Sequence, residues 1–178
     1  MKHFAINTQK ISWLILLIGI FYITSGNAST KEKIRKASHP STTIKQLSKY
    51  SSHRKWRVRK AVAMNRRAST TTLYTLASDT HVQVRIAVAT NLSTDEKTFL
   101  KLSKDKKKSV RSVVARFEYV PSATLQALAK DKDPEIRLEV AKNPNTDKAT
   151  LEKLLKDEFP EIRNAATVGL QDINTRGS

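Results

Sequence analysis

The sequence predicts an all-α fold, a short α-solenoid of five 26-residue repeats, and three observations carry that expectation. Arg59, Arg85, Arg111, Arg137 and Arg163 stand 26 residues apart without a break. Around each arginine the apolar residues keep helical spacing: Val58, Val84, Val110, Ile136 and Ile162 precede it, and Val62, Val88, Val114, Val140 and Ala166 lie four residues further on. Upstream in each unit, Leu47, Leu73, Phe99, Leu125 and Leu151 are followed three residues later by Tyr50, Leu76, Leu102, Leu128 and Leu154, the mark of another short helix.

Each unit therefore holds two short helices, expected in the third unit over about Thr94–Ser103 and Lys108–Phe117. A helix of about ten residues is marginal alone in water. Its apolar face must be buried against copies of itself, which is the logic of a solenoid. Thr42, Thr94 and Thr146 fall where the first helix should start and are expected as N-caps. Pro134 and Pro160 occupy the first turn of the second helix, where a missing N–H costs little. Asn65, Asn91 and Asn143 recur just after the second helix and are expected as left-handed C-caps. Phe117 and Gly169 depart from that rule, and Gly169 with Thr167 suggests a C-terminal capping unit. The expected organisation is a half-repeat or cap over 29–40, the solenoid over 41–170 and a polar tail over 171–178.

Residues 1–28 have the layout of a secretory signal. Lys2, His3 and Lys10 precede an apolar run from Ile11 to Ile23, and Gly26 and Ala28 supply small residues at a cleavage site after Ala28. An uncleaved anchor is the alternative, but about 13 residues at 1.5 Å rise cover about 20 Å against the about 30 Å of a hydrocarbon core. The expected location is thus periplasmic or secreted, or membrane-anchored if the segment is retained. With no cysteine there is neither a disulfide, a thiolate metal site nor a lipoprotein anchor.

The 33 Lys+Arg against 16 Asp+Glu give a net charge of +17, which favours an anionic partner. The charge is graded along the chain. Residues 29–67 hold 13 basic and 1 acidic residue, 68–118 hold 9 and 5, and 119–178 hold 9 and 10. Asp79, Asp105, Asp131 and Asp157 lie six residues before Arg85, Arg111, Arg137 and Arg163, close enough to pair within or between units as a structural ladder. In the first unit His53 takes the place of the aspartate, so Arg59 is expected to be left without its acid. It stands among Arg54, Lys55, Trp56, Arg57 and Lys60, with Arg66 and Arg67 at the end of the helix. Together with Lys106, Lys107 and Lys108 these form a candidate basic stripe for an anion or a partner, with a merely solvated face as the alternative.

Catalytic and metal chemistry is not expected. His39, His53 and His81 fall in turns, only 4 glycines are present, and neither a phosphate loop, a zinc pattern nor a nucleophile elbow can be read.

Written out, the unit L-x-x-L-x-x-D-x-x-x-x-V-R-x-x-V-A-x-N resembles the bacterial leucine-rich repeat variant family, most closely in Trp56–Ala63 and Val140–Pro144. The resemblance spans about residues 37–170 and implies a right-handed superhelix pairing an α-helix with a 3₁₀-helix. A founding member carries a cysteine-bound iron–sulfur cluster, which a chain without cysteine cannot take over, so no cofactor is expected. The units are also similar to HEAT (ARM-type) repeats, in which an Asp and an Arg form a structural ladder. The expected function is a non-catalytic exported scaffold for an unidentified protein partner, with the positive charge favouring an acidic one. The alternative is a binder of an anionic polymer, either nucleic acid, an anionic glycan or lipid headgroups.

Overall fold

The computed structural model describes residues 29–176. The signal segment over 1–28 lies outside the described residues. Within them there are eleven helices and no strand. Helix α1 covers 29–38. It is followed by five helix pairs: α2 (Ile44–Ser51) and α3 (Trp56–Met64), α4 (Thr70–Leu76) and α5 (Val82–Ala89), α6 (Glu96–Leu102) and α7 (Lys108–Arg116), α8 (Ser122–Leu128) and α9 (Pro134–Lys142), α10 (Lys148–Leu154) and α11 (Pro160–Arg176). Both helices of every pair are α-helical, so the 3₁₀ member implied by the family resemblance is absent among the described residues. No described helix is long and apolar enough to cross a membrane.

Side-chain size decides how the pairs stack. The first helices bury Leu47, Leu73, Leu76, Phe99, Leu102, Leu125, Leu128, Leu151 and Leu154, whereas the second helices bury valines and alanines. Ala61, Ala63, Ala87, Ala89, Ala115 and Ala141 let neighbouring second helices come close, and these pack against one another far more extensively than the first helices do.

The helix starts differ from expectation by one residue. The N-caps are Thr43, Ser69, Asp95 and Asp147, each accepting from the backbone N–H three residues on, with Pro121 uncapped in the fourth unit. Thr43 and Gln46 form a full capping box. Thr42, Thr94 and Thr146 instead turn their hydroxyls backward. Thr94 Oγ1 donates to the Val88 carbonyl at 2.6 Å, Thr146 Oγ1 to Val140 at 2.6 Å, and Thr42 Oγ1 to Lys36. A hydroxyl committed to the open carbonyls at the end of the preceding helix leaves the capping of the next to its neighbour.

The asparagines are not left-handed C-caps. Asn65 and Asn143 have extended backbone (φ −78°, ψ 122° and φ −76°, ψ 128°), and among the described residues no non-glycine residue has positive φ. Each is retained for its buried side chain. Asn91 Nδ2 donates to the carbonyls of Ala63 at 2.6 Å and Asn65 at 3.0 Å in the unit before, while its Oδ1 accepts from Ser93 N at 2.8 Å. Asn65 bonds the Ala37 carbonyl of α1 and the His39 carbonyl just after it in the same way, and Asn143 those of Ala115 and Phe117. One amide thus satisfies the helix-end carbonyls of the unit behind it. Truncating Asn91 to alanine strands buried backbone groups and is expected to cost about 1 to 3 kcal/mol, read as a fall in the urea midpoint.

At the C-terminal end the chain does not turn. Helix α11 runs on from Pro160 to Arg176, so residues 171–176, expected as a polar tail, are helical. Gly169 makes this crossing possible, since a Cβ there would lie 3.1 Å from Leu151 Cδ1 and 3.3 Å from the Ala141 carbonyl.

Candidate functional site

The ladder runs between units. Arg85 Nε donates to Asp105 Oδ2 at 2.5 Å and Nη2 to Oδ1 at 2.9 Å, a two-pronged pair with both side chains buried. Arg111 holds Asp131 and Arg137 holds Asp157 with the same two bonds. The third guanidinium nitrogen closes the turn of its own unit: Arg85 Nη1 donates to the Asp79 carbonyl at 2.8 Å and Arg111 Nη1 to that of Asp105 at 2.9 Å. Each aspartate also accepts at Oδ1 from the backbone N–H two residues on, which shapes the turn into the second helix. Burial raises the carboxyl pKa of Asp79, Asp105 and Asp131, but the arginine, the turn N–H and the positive charge together outweigh it, and all three end below the usual range. For Asp157 the Arg137 hydrogen bond is the leading cause of the same depression.

Arg59 is not freed from this arrangement. It takes Asp79 of the second unit, Nε to Oδ2 at 2.5 Å and Nη2 to Oδ1 at 2.8 Å. His53 fills the turn role of the missing aspartate: its Nδ1 accepts from Lys55 N at 3.1 Å and its carbonyl accepts from Arg59 Nη1 at 2.8 Å. Burial, with the charges of Lys33, Arg54 and Arg59, lowers the His53 pKa and favours the neutral ring that this acceptor role needs. The ladder is incomplete at its other end. Arg163 donates Nη1 to the Asp157 and Glu158 carbonyls at 2.7 and 2.9 Å but has no carboxylate partner among the described residues.

The candidate basic residues divide into separate groups. Arg54, Lys55 and Arg57 are exposed at the turn into α3, with Lys60 half-exposed on the same helix. Trp56 stacks on His81 of the next unit, ring centroids 3.9 Å apart and planes 9° from parallel, and the Arg57 guanidinium lies 4.8 Å from the Trp56 ring. A hollow of about 240 Å³ opens between Thr30, Lys55, Trp56 and Arg57. Arg66 and Arg67 are exposed at the other edge of the stack, beyond the length of α3, about 13 Å away by helical rise. Lys106 and Lys107 are exposed two layers along. Lys108 is not an open cation, because its Nζ pairs with Asp133 at 2.9 Å and Glu135 at 2.6 Å of the following unit. The continuous stripe expected from sequence is therefore interrupted.

A group not singled out in the sequence lies on the first-helix side. Lys97 and Lys101 of α6 place their ammonium groups 4.7 and 4.1 Å from the Tyr74 ring of α4, and Lys101 also donates to the Tyr74 carbonyl. Their i, i+4 spacing on an exposed face was the available signal. Among the described residues no cluster of His, Asp and Glu could hold a metal ion.

This geometry defines a helical repeat protein. No protein-family model matches the chain, and no curated protein does. Among solved structures it is similar to a leucine-rich repeat variant described as having a novel repetitive structural motif, with a TM-score of 0.58 and 25% identity over 74% of this chain and 52% of the other. A second similar structure is YibA of Escherichia coli, with a TM-score of 0.51 and 19% identity over 71% of this chain and 58% of the other. The chain thus has a helical-repeat solenoid fold similar to these structures and spans little more than half the length of either.

Proposed function

We propose that this protein is a non-catalytic, exported repeat scaffold that binds an acidic protein partner at its first unit. The observation that carries the reading is the contrast between two sets of cations. Four ladder arginines are consumed in buried ion pairs, whereas Arg54, Lys55 and Arg57 crowd around a stacked Trp56 with no carboxylate in reach among the described residues. Exposed arginines beside an aromatic ring are the residue types enriched where protein interfaces concentrate their binding energy. Non-catalytic action accords with the aspartates, whose oxygens are taken up by guanidinium and turn N–H groups. Export rests on the layout of residues 1–28, and mass spectrometry of the protein recovered from the producing cell is expected to find a chain beginning at Ser29.

Binding of an anionic polymer at the same cations is the second reading, favoured by the aromatic face and the hollow beside Lys55 and Arg57. Reversing all three charges (Arg54→Glu, Lys55→Glu, Arg57→Glu) is expected to weaken partner capture from a cell-envelope extract at least tenfold while leaving the thermal midpoint within a few degrees. Unchanged capture would dispose of the site. A polymer would reveal itself by affinity that falls with a log–log salt slope of about −0.7 to −0.9 for each phosphate neutralised.

A further inference from the structure

The ladder ends on Arg163, an arginine without a carboxylate partner among the described residues. At each preceding joint the arginine has one nitrogen tied to the turn of its own unit and the other two directed at the aspartate of the next: Arg137 Nη1 bonds the Asp131 carbonyl at 3.0 Å while Nε and Nη2 hold Asp157 at 2.6 and 3.0 Å. Arg163 has the same tether, to Asp157 and Glu158. Its Nε–Nη2 edge is thereby set in the direction that receives an acid at every other joint, with the ordering cost of the long side chain largely met in advance. The turn beside it has changed character. Leu155 and Phe159 are 37% and 39% exposed, where the unit before has Ala129 and Asp133. Ala77 and Ser103, which hold the position of Leu155 in the inner units, are buried, so Leu155 is an apolar residue left uncovered at this end, whereas Phe159 faces the unit before, its ring 5.7 Å from the Arg137 guanidinium.

We propose that this end of the solenoid docks a partner polypeptide that presents a short apolar helix followed by an aspartate, the arrangement that the first helix and turn of each unit in this chain present to the unit before. The aspartate takes the Arg163 fork with the two parallel hydrogen bonds seen at the other joints, and the apolar helix covers Leu155. The competing local acids are few. Asp157 and Glu158 are both engaged by Arg137, which leaves Glu161 as the acid on the first turn of α11 without an ion pair among the described residues. The site lies at the opposite end of the stack from Arg54, Lys55 and Arg57, so it can fail or stand independently of the function proposed above.

The probe is a capped synthetic peptide with the sequence of Lys148–Phe159, which carries Leu151, Leu154 and Asp157 in the required order. It is titrated into the ¹⁵N-labelled full chain and followed by NMR. The expected result is a saturable shift of the Arg163 Nε–H and of the backbone amides around Ile162–Asn164. Binding should weaken at least tenfold when the peptide carries Asp157→Asn or the protein carries Arg163→Lys, which keeps the charge but not the fork. In Glu161→Gln protein it should strengthen. Equal binding of the Asn peptide, shifts that persist in Arg163→Lys, or no shift at millimolar peptide would each overturn the proposal. The peptide substitution leaves the protein intact, so the test does not depend on any variant folding.

Discussion

Asp105→Ala is expected to cost about 3 to 5 kcal/mol of folding stability, because it removes one partner of a buried pair and leaves the Arg85 guanidinium desolvated and unanswered. Arg85 and Asp105 side chains are 6% and 7% exposed, so little solvent is available to compensate. The loss should reach beyond one contact. The same carboxylate orders the turn into α7 through Lys107 N at 2.8 Å. The pair also joins the second unit to the third, and a solenoid depends on such nearest-neighbour joints. Adding Arg85→Met to Asp105→Ala should restore most of the loss, since an apolar side chain needs no counter-charge. Chemical denaturation of the wild type, both single variants and the double variant measures this, and a double variant no more stable than Asp105→Ala would show that the turn, and not the stranded charge, carries the cost.

Acid is expected to have the second large effect. The carboxyl groups of Asp79, Asp105, Asp131 and Asp157 all titrate below their ordinary value in the folded chain. A group whose folded pKa is depressed stabilises above its unfolded pKa, and that contribution disappears as the pH falls through the folded value. With an unfolded aspartate near 3.9, the ladder's contribution should hold from about pH 7 to about pH 5 and fall steeply below about pH 4, beneath a shallower decline near pH 6 from His53, whose ring the fold keeps neutral. All four joints weaken in one window. A chain of net charge +17 also gains self-repulsion as its other acids protonate, which sharpens the fall. In a His53→Gln background, a midpoint that fell mainly between pH 7 and pH 5 would mean that the ladder is not the acid-sensitive element.

Much of this architecture is written in the spacing of residues. The 26-residue recurrence of Arg59 through Arg163, with Val58 and Val62 and their equivalents around it, fixed helix type, helix number and the need for stacking, because a short amphipathic helix has only its copies to lean on. The prolines at 134 and 160 marked helix starts correctly. The asparagines were legible as recurrent but misread. An extended Asn65 and a left-handed one share the same sequence neighbours, and what separates them is the pair of carbonyls 26 and 28 residues back. Thr94 raised a similar difficulty, since a hydroxyl can accept from the helix ahead or donate to the helix behind, and Asp95 took the first task.

The arginine ladder shows most clearly where periodicity stops being informative. An aspartate six residues before one arginine is also twenty residues after the previous one, and both intervals recur at every unit because they sum to the repeat. The sequence alone therefore determined that acids and arginines would meet in register along one edge. Which acid meets which arginine was decided by the tertiary structure. Close packing of small Val and Ala side chains brings the next unit's carboxylate, and not the unit's own, within reach of Nε and Nη2. That one choice of partner gives Arg59 its acid and leaves Arg163 without a carboxylate among the described residues, moving the incomplete end of the ladder from the first unit to the last.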